Sequence, residues 1–107
     1  MVEDMEGMEL LNFQIISNVG DAKSSLFEAL KAAREEKFEA AALLIEKADE
    51  SLGKAQEIHL QLLGQEAQGT PLEVSLLLMH AEDQMMTTEM LKYMAKEMVL
   101  IHQKYSK

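Results

Sequence analysis

Apolar residues recur at intervals of three and four along almost the whole chain, and this spacing strongly limits its secondary structure. The spacing places side chains on one face of an α-helix, whereas a half-buried strand would show strict alternation. No stretch of the sequence shows the strand pattern. One segment, residues 64–69, has obvious loop composition, polar and small with a glycine at each end. The sequence therefore predicts an all-α fold of long helices.

The first helix is predicted from about Asp4 to Arg34, with acidic residues near its start that suit a helix N-terminus. Asparagine and glycine at positions 18–21 lower the helix propensity there. The apolar spacing continues across these four residues, which we interpret as a kink or a close packing contact. Residues 35–37 lack glycine and proline, and a shift in the phase of the apolar positions marks them as the turn into the second helix.

The second helix is predicted from about Phe38 to Gly64, and the third begins after the loop. There Thr70 is expected to be the N-cap, Pro71 the first helical residue and Glu73 its reciprocal partner in a capping box. The third helix should then run to about Tyr105. Short connections make neighbouring helices antiparallel. We expect an up-down-up three-helix bundle about 40–50 Å long.

The amino-acid composition and net charge of the chain exclude several classes of protein function. The 107 residues suit a single domain spanning 1–107, and 48% of them are apolar but only 5% aromatic. The core must therefore be built from Leu, Ala, Ile and Met. The absence of cysteine excludes disulfides and thiol chemistry. A net charge of −9 argues against nucleic acid and anionic membranes, and without a signal peptide or membrane span in the sequence we expect a cytoplasmic protein.

The predicted third helix has two apolar sides. One is a broad stripe that suits the chain's own core: Val74, Leu77, Ala81, Met85, Thr88, Leu91, Ala95 and Met98. The other carries His80 and Asp83, one helical turn apart, together with Leu76, Thr87, Met90 and Met94. A helix with two apolar sides has two surfaces to pack against, and the second partner is expected to be another chain.

Spacing alone leaves the roles of His80 and Asp83 open. His80 fits a core histidine with a satisfied partner, but apolar neighbours that partly desolvate the ring would favour a neutral imidazole able to attack phosphorus. Asp83 is expected to be protonated, hydrogen-bonded or paired with a cation, since burying a lone carboxylate is costly. Three copies around a threefold axis would offer oxygen ligands suited to Mg²⁺. His59 and His102 are interpreted as ordinary surface or boundary residues.

Residues 74–87 read VSLLLMHAEDQMMT. This block resembles VSLLLVHAQDHLMT, the signature of the lactose/cellobiose-type IIA component of the bacterial phosphoenolpyruvate-dependent sugar phosphotransferase system. Residues 15–25, IISNVGDAKSS, are similar to the family's IIxxSGxARS segment. Three long helices with a glycine-containing loop before the third also fit, so the resemblance covers nearly the whole chain.

The resemblance implies a homotrimer of nine helices that serves uptake of a disaccharide such as lactose, cellobiose or chitobiose. It implies that His80 accepts a phosphoryl group from the carrier protein HPr and passes it to a cysteine of the IIB component, which serves the membrane component IIC. It also maps Asp83 onto an aspartate shared by three subunits at a metal, expected to be Mg²⁺.

Two residues beside His80 depart from the family pattern and are candidates for the phosphoryl pocket. Glu82 stands in place of the usual Gln, and Gln84 in place of a frequent His. The extra negative charge of Glu82 is expected to weaken phosphoryl binding or to raise the transfer potential. The alternative function is a structural or regulatory trimeric helical module that does not pass phosphate to IIB.

Overall fold

The computed structural model describes residues 7–106 and contains three helices: α1, Gly7–Arg34; α2, Phe38–Ala67; and α3, Leu76–Tyr105. The described residues contain no strand, which confirms the predicted all-α three-helix bundle. The predicted helix start at Asp4 lies outside the described residues. The bundle measures 56 × 29 × 19 Å, somewhat longer than expected. None of its described helices has the length and apolar character needed to cross a bilayer.

The core is built mainly from alanine and aliphatic side chains. α1 packs extensively against both other helices, whereas the contact between α2 and α3 is the smallest of the three. Of the methionines, Met85 alone belongs to the buried core among the described residues, so the expectation that methionine would help to fill the interior is largely wrong. The buried apolar residues are Ile15, Val19, Ala22, Leu26, Ala29, Ala32, Ala33, Ala41, Ile45, Ala48, Leu52, Ala55, Leu62, Leu78, Ala81, Met85, Ala95 and Val99.

The turn between α1 and α2 is a Schellman motif without glycine. The Lys37 amide donates to the Ala32 carbonyl over 2.8 Å, and the Glu36 amide donates to the Ala33 carbonyl over 3.0 Å. Glu36 has a φ of 62°, a left-handed conformation that glycine adopts more easily. The predicted turn at residues 35–37 is confirmed.

The connection between α2 and α3 differs from the prediction. α2 continues through Gly64 to Ala67, and Gly69, with a φ of 90°, is the glycine that ends it. The Thr70 amide donates to the Gln65 carbonyl over 3.0 Å, so Thr70 completes the C-terminal motif of α2 and does not cap α3.

α3 begins at Leu76. The predicted capping box of Thr70, Pro71 and Glu73 lies before this start, so that prediction was wrong. Ser75 is the N-cap, and its hydroxyl accepts a hydrogen bond from the Leu78 amide over 3.1 Å.

The weak segment at positions 18–21 lies inside α1, which continues through it as a helix. Gly20 is exposed, and a Cβ added there would meet no atom within 4 Å, so the expected close packing contact is wrong. The Asn18 side-chain amide donates to the Gln14 carbonyl over 2.8 Å, one helical turn back. The polar residue is thus accommodated on the outer surface of the helix.

Candidate functional site

The first turns of α3 orient the candidate site. The cap at Ser75 fixes where the helix begins, and Leu78 and Ala81 then point into the core. Because side chains advance by about 100° per residue along a helix, burial of these two residues directs His80 outward. His80 accordingly lies exposed on the surface of the protomer.

His80 lies in an open groove with neighbours on α3. The groove is lined by Leu76, Met79, His80, Glu82, Asp83 and Met86. The expectation that apolar neighbours would desolvate the imidazole is wrong for the protomer, because His80 is exposed although Leu76, Met79 and Met86 line the same groove. The imidazole can therefore be approached by a reaction partner without any rearrangement of the chain.

Asp83 shares this groove, and its carboxylate has no partner among residues 7–106. Within residues 7–106, its side chain makes no hydrogen bond or ion pair, and none joins it to His80. Its backbone carbonyl accepts a hydrogen bond from the Thr87 hydroxyl over 3.0 Å. The described part of the chain contains no group of three or more His, Cys, Asp or Glu residues placed to hold a metal. A metal bound through Asp83 would need ligands from other chains or from water.

An exposed apolar strip extends from this groove along α3, and we call it the methionine face. The exposed fractions of its residues range from 53% to 83%, namely Leu76 83%, Met79 59%, Met86 59%, Met90 62%, Met94 53% and Ile101 54%. The prediction of a second apolar side that the chain's own core does not cover is confirmed. The predicted core stripe of α3 was wrong at two positions, because Val74 is 72% exposed and Met98 is 43% exposed. It also missed Leu78 and Val99, which are buried.

The two pocket candidates beside His80 differ in position. Glu82 reaches both the groove and α2, where its Oε1 lies 2.5 Å from Nδ1 of His59. Gln84 is half-buried and is not among the groove-lining residues. His59 was interpreted as an ordinary boundary residue, and sequence reasoning missed its pairing with Glu82. His102 is exposed near the end of α3, as expected.

Comparison with known proteins identifies the family. The model of the lactose/cellobiose-specific IIA subunit of the phosphotransferase system matches residues 10–103. The chain belongs to this IIA family. It is 38% identical to the lactose-specific EIIA component of Staphylococcus epidermidis over 99 residues, covering 92% of this chain and 95% of that protein. It is 42% identical to the oligo-beta-mannoside-specific EIIA component of Bacillus subtilis over 91 residues, covering 85% and 83%.

A solved structure agrees with the assignment. The crystal structure of the cellobiose-specific enzyme IIA from Bacillus anthracis has a TM-score of 0.91 and 35% identity to this chain. The alignment covers 94% of this chain and 92% of that one. This chain is therefore a IIA component of a lactose/cellobiose-type sugar phosphotransferase system, with the three-helix architecture of its relatives.

Proposed function

We propose that this IIA chain is a phosphocarrier whose phosphoryl acceptor is His80. The exposure of the His80 imidazole, in an open groove at the start of α3, is the observation that carries the proposal. Phosphoryl transfer between two proteins requires the accepting nitrogen to meet the donor's phosphorus in line. The buried residues that precede and follow His80 on α3 hold this part of the helix in place while leaving the ring free.

The proposed transfer exchanges one phosphorus–nitrogen bond for another. A lone pair on a ring nitrogen of neutral His80 attacks the phosphorus of phospho-HPr, and the bond between phosphorus and the donor histidine breaks. The donor ring takes up a proton as it leaves, and His80 releases the proton from its other ring nitrogen. In the second transfer, a cysteine thiolate of IIB attacks the phosphorus, the bond between phosphorus and the His80 nitrogen breaks, and the His80 ring recovers a proton.

The methionine face is the proposed subunit interface. In an isolated protomer it leaves six large apolar side chains more than half exposed along one helix, whereas contiguous apolar patches of this kind usually mark contact surfaces. Packing α3 of three protomers about a common axis would cover this face and produce the nine-helix homotrimer. The system's sugar is proposed to be a disaccharide such as lactose, cellobiose or chitobiose, handled by the membrane component IIC.

Asp83 is the proposed metal ligand of that trimer. Its carboxylate is exposed and has no cationic partner among residues 7–106, and it lies on the same side of α3 as Met90. Carboxylate oxygen is a preferred ligand of Mg²⁺, so three copies meeting at the axis fit a single shared ion. The ion would neutralise like charges at the interface, and no step of the phosphoryl transfer depends on it.

Phosphorylation followed by mass spectrometry tests the acceptor. With phosphoenolpyruvate and the general phosphotransfer proteins, acid-labile phosphate is expected on His80. His80→Ala should abolish the label, whereas His102→Ala, which alters another exposed histidine of α3, should retain it. Phosphate that persists in His80→Ala would show that another residue is the acceptor.

The same experiment separates the alternative functions. A purely structural trimeric module would remain unlabelled. A regulatory module would be labelled but would transfer no phosphate to IIB, so the loss of label on addition of IIB is the second measurement. The exposure of His80 favours a phosphorylated protein over a purely structural module, because a structural histidine has no need to face solvent.

A further inference from the structure

A polar contact joins α2 to α3 directly beside His80. His59 on α2 and Glu82 on α3 meet through Nδ1 and Oε1 at 2.5 Å, and both side chains are only about one-quarter exposed, 26% and 25%. Hydrogen bonds to ionised groups are short and roughly twice as strong as neutral ones. Since α2 and α3 make the least extensive helix contact of the bundle, this bond is a prominent link between them.

Glu82 lies between two cavities. One is the His80 groove, and the other is an apolar cavity of about 170 Å³ lined by His59, Leu62, Leu63, Glu66, Leu72, Leu78 and Glu82. Neither cavity is lined by lysine or arginine in the described part of the chain. The other carboxylate oxygen, Oε2, is buried without a hydrogen-bond partner among these residues. Among residues 7–106, the contact with His59 is therefore the one polar contact that holds this carboxylate.

We propose that His59 is a positioning residue that keeps the Glu82 carboxylate on the α2 side, away from a phosphoryl group on His80. The inference rests on the proposed function. Without the bond from His59, the Glu82 side chain can rotate into the groove that it shares with His80. There its charge would oppose the phosphoryl group. The contact with His59 thus explains how this chain can carry an acid two residues from its acceptor.

The expected size of the effect follows from electrostatics. A phosphoryl group brings nearly two negative charges. A carboxylate at about 6 Å in a water-like dielectric would lower the equilibrium constant for phosphorylation by roughly tenfold relative to a site without that charge. Because wild type carries the same charge at a greater distance, roughly tenfold is the upper limit for the effect of moving it. The Asp83 carboxylate lines the same groove in every variant considered, and Glu66 lines the cavity beside His59, so their contributions cancel in a comparison of variants.

The test measures the equilibrium between phospho-HPr and each variant, with melting temperatures recorded in parallel. His59→Leu should lower the equilibrium constant severalfold, by up to about tenfold, whereas His59→Asn should stay within about twofold of wild type, because the asparagine Nδ2 can donate from a position similar to that of Nδ1. The double variant His59→Leu with Glu82→Gln should reach at least the wild-type value, since it removes the repelling charge altogether.

Asp49→Asn provides the matched control. Asp49 joins the same two helices through Lys92, with a 3.0 Å separation between Oδ1 and Nζ. Lys92 lies twelve residues beyond His80, or about 18 Å along the helix. This control should leave the phosphorylation equilibrium unchanged even if it lowers the melting temperature.

Three results would count against the positioning role. An unchanged equilibrium in His59→Leu would overturn it, as would a loss that the Glu82→Gln substitution fails to restore. An equal loss in Asp49→Asn would show that any weakened contact between α2 and α3 has the same effect. Failure of wild type to be phosphorylated would refute the proposed function and this inference together. Normal phosphorylation of wild type, with the same equilibrium constant in the His59 variants, would refute the positioning role alone.

Discussion

Replacing Met90 by glutamate tests whether the methionine face is a subunit interface. Met90 is 62% exposed in the protomer and lies in the middle of that face, about two turns beyond Asp83. The substitution removes no contact from the protomer's core. It places a charge where the proposed trimer would exclude water, so its effect should fall on assembly and leave folding of the protomer intact.

The magnitude can be worked from burial. Fully burying a methionine side chain stabilises by about 1.5–3 kcal/mol, so covering the exposed 62% of Met90 is worth about 1–2 kcal/mol per protomer. Burying an unpaired carboxylate in its place costs several kcal/mol more. A combined loss of about 4 kcal/mol corresponds to roughly a thousandfold for each protomer, and all three protomers of a trimer would carry the substitution.

Size-exclusion chromatography with light scattering measures the outcome. Wild type should elute as a trimer of three 12.0 kDa protomers at micromolar concentration, and Met90→Glu as a monomer with unchanged helical circular dichroism. Leu43→Glu is the matched control, because Leu43 is 67% exposed on α2, away from the methionine face. A monomeric wild type, or a Met90→Glu variant that remains trimeric while Leu43→Glu dissociates, would refute the proposed interface.

Four further substitutions have expected outcomes. Ser75→Ala should lower the free energy of unfolding by about 1 kcal/mol through loss of the α3 cap, whereas Thr70→Ala should change it by less than about 0.5 kcal/mol; urea denaturation distinguishes the two. Glu36→Gly should stabilise the chain by up to about 1 kcal/mol in the same assay, since glycine adopts the left-handed turn conformation more easily. Asp83→Leu should still trimerise and should melt at the same temperature with and without chelator, whereas wild type should melt lower when chelator is added. A wild type indifferent to chelator would argue against the shared Mg²⁺.

The long helices could be predicted because their apolar spacing extends over many turns. The ends of the helices were harder to locate, because the same short sequence can either cap the start of one helix or complete the end of the helix before it. Residues 70–73 match a capping box, but the Thr70 amide is already engaged by the C-terminal motif of α2, and Ser75 caps α3 instead. The turn at Glu36 lacked its usual glycine, and only the change in stripe phase revealed it.

The orientation of His80 could not be read from its immediate neighbours. Leu77, Leu78, Met79 and Ala81 are apolar, which suggested desolvation, but successive helical residues point in different directions. Only the positions that pack on α1 and α2 decide which of these side chains is buried. Helical spacing placed His80 and Asp83 on one side, and the structure places both in one groove.

The contact between His59 and Glu82 links residues that are distant in sequence. One signal was present in the sequence, however. The positions three and four residues from Glu82 are Leu78, Met79, Met85 and Met86, so no basic residue on its own helix could pair with it. A glutamate among apolar neighbours on a partly buried part of a helix therefore needs a partner on another helix. His59 meets that need from the adjoining region of α2.

The distribution of side-chain size between core and surface supports assembly as part of the function. Alanine supplies half of the buried apolar positions, while most of the larger and more flexible methionine side chains of residues 7–106 lie outside. Alanine adds little apolar area to the core, so much of the chain's capacity for apolar burial remains unused in the protomer. Because His80 and Asp83 share a groove that adjoins the methionine face, covering that face would bring neighbouring subunits close to the acceptor. Assembly would thereby change the surroundings of the phosphoryl group while leaving the fold of each protomer unchanged.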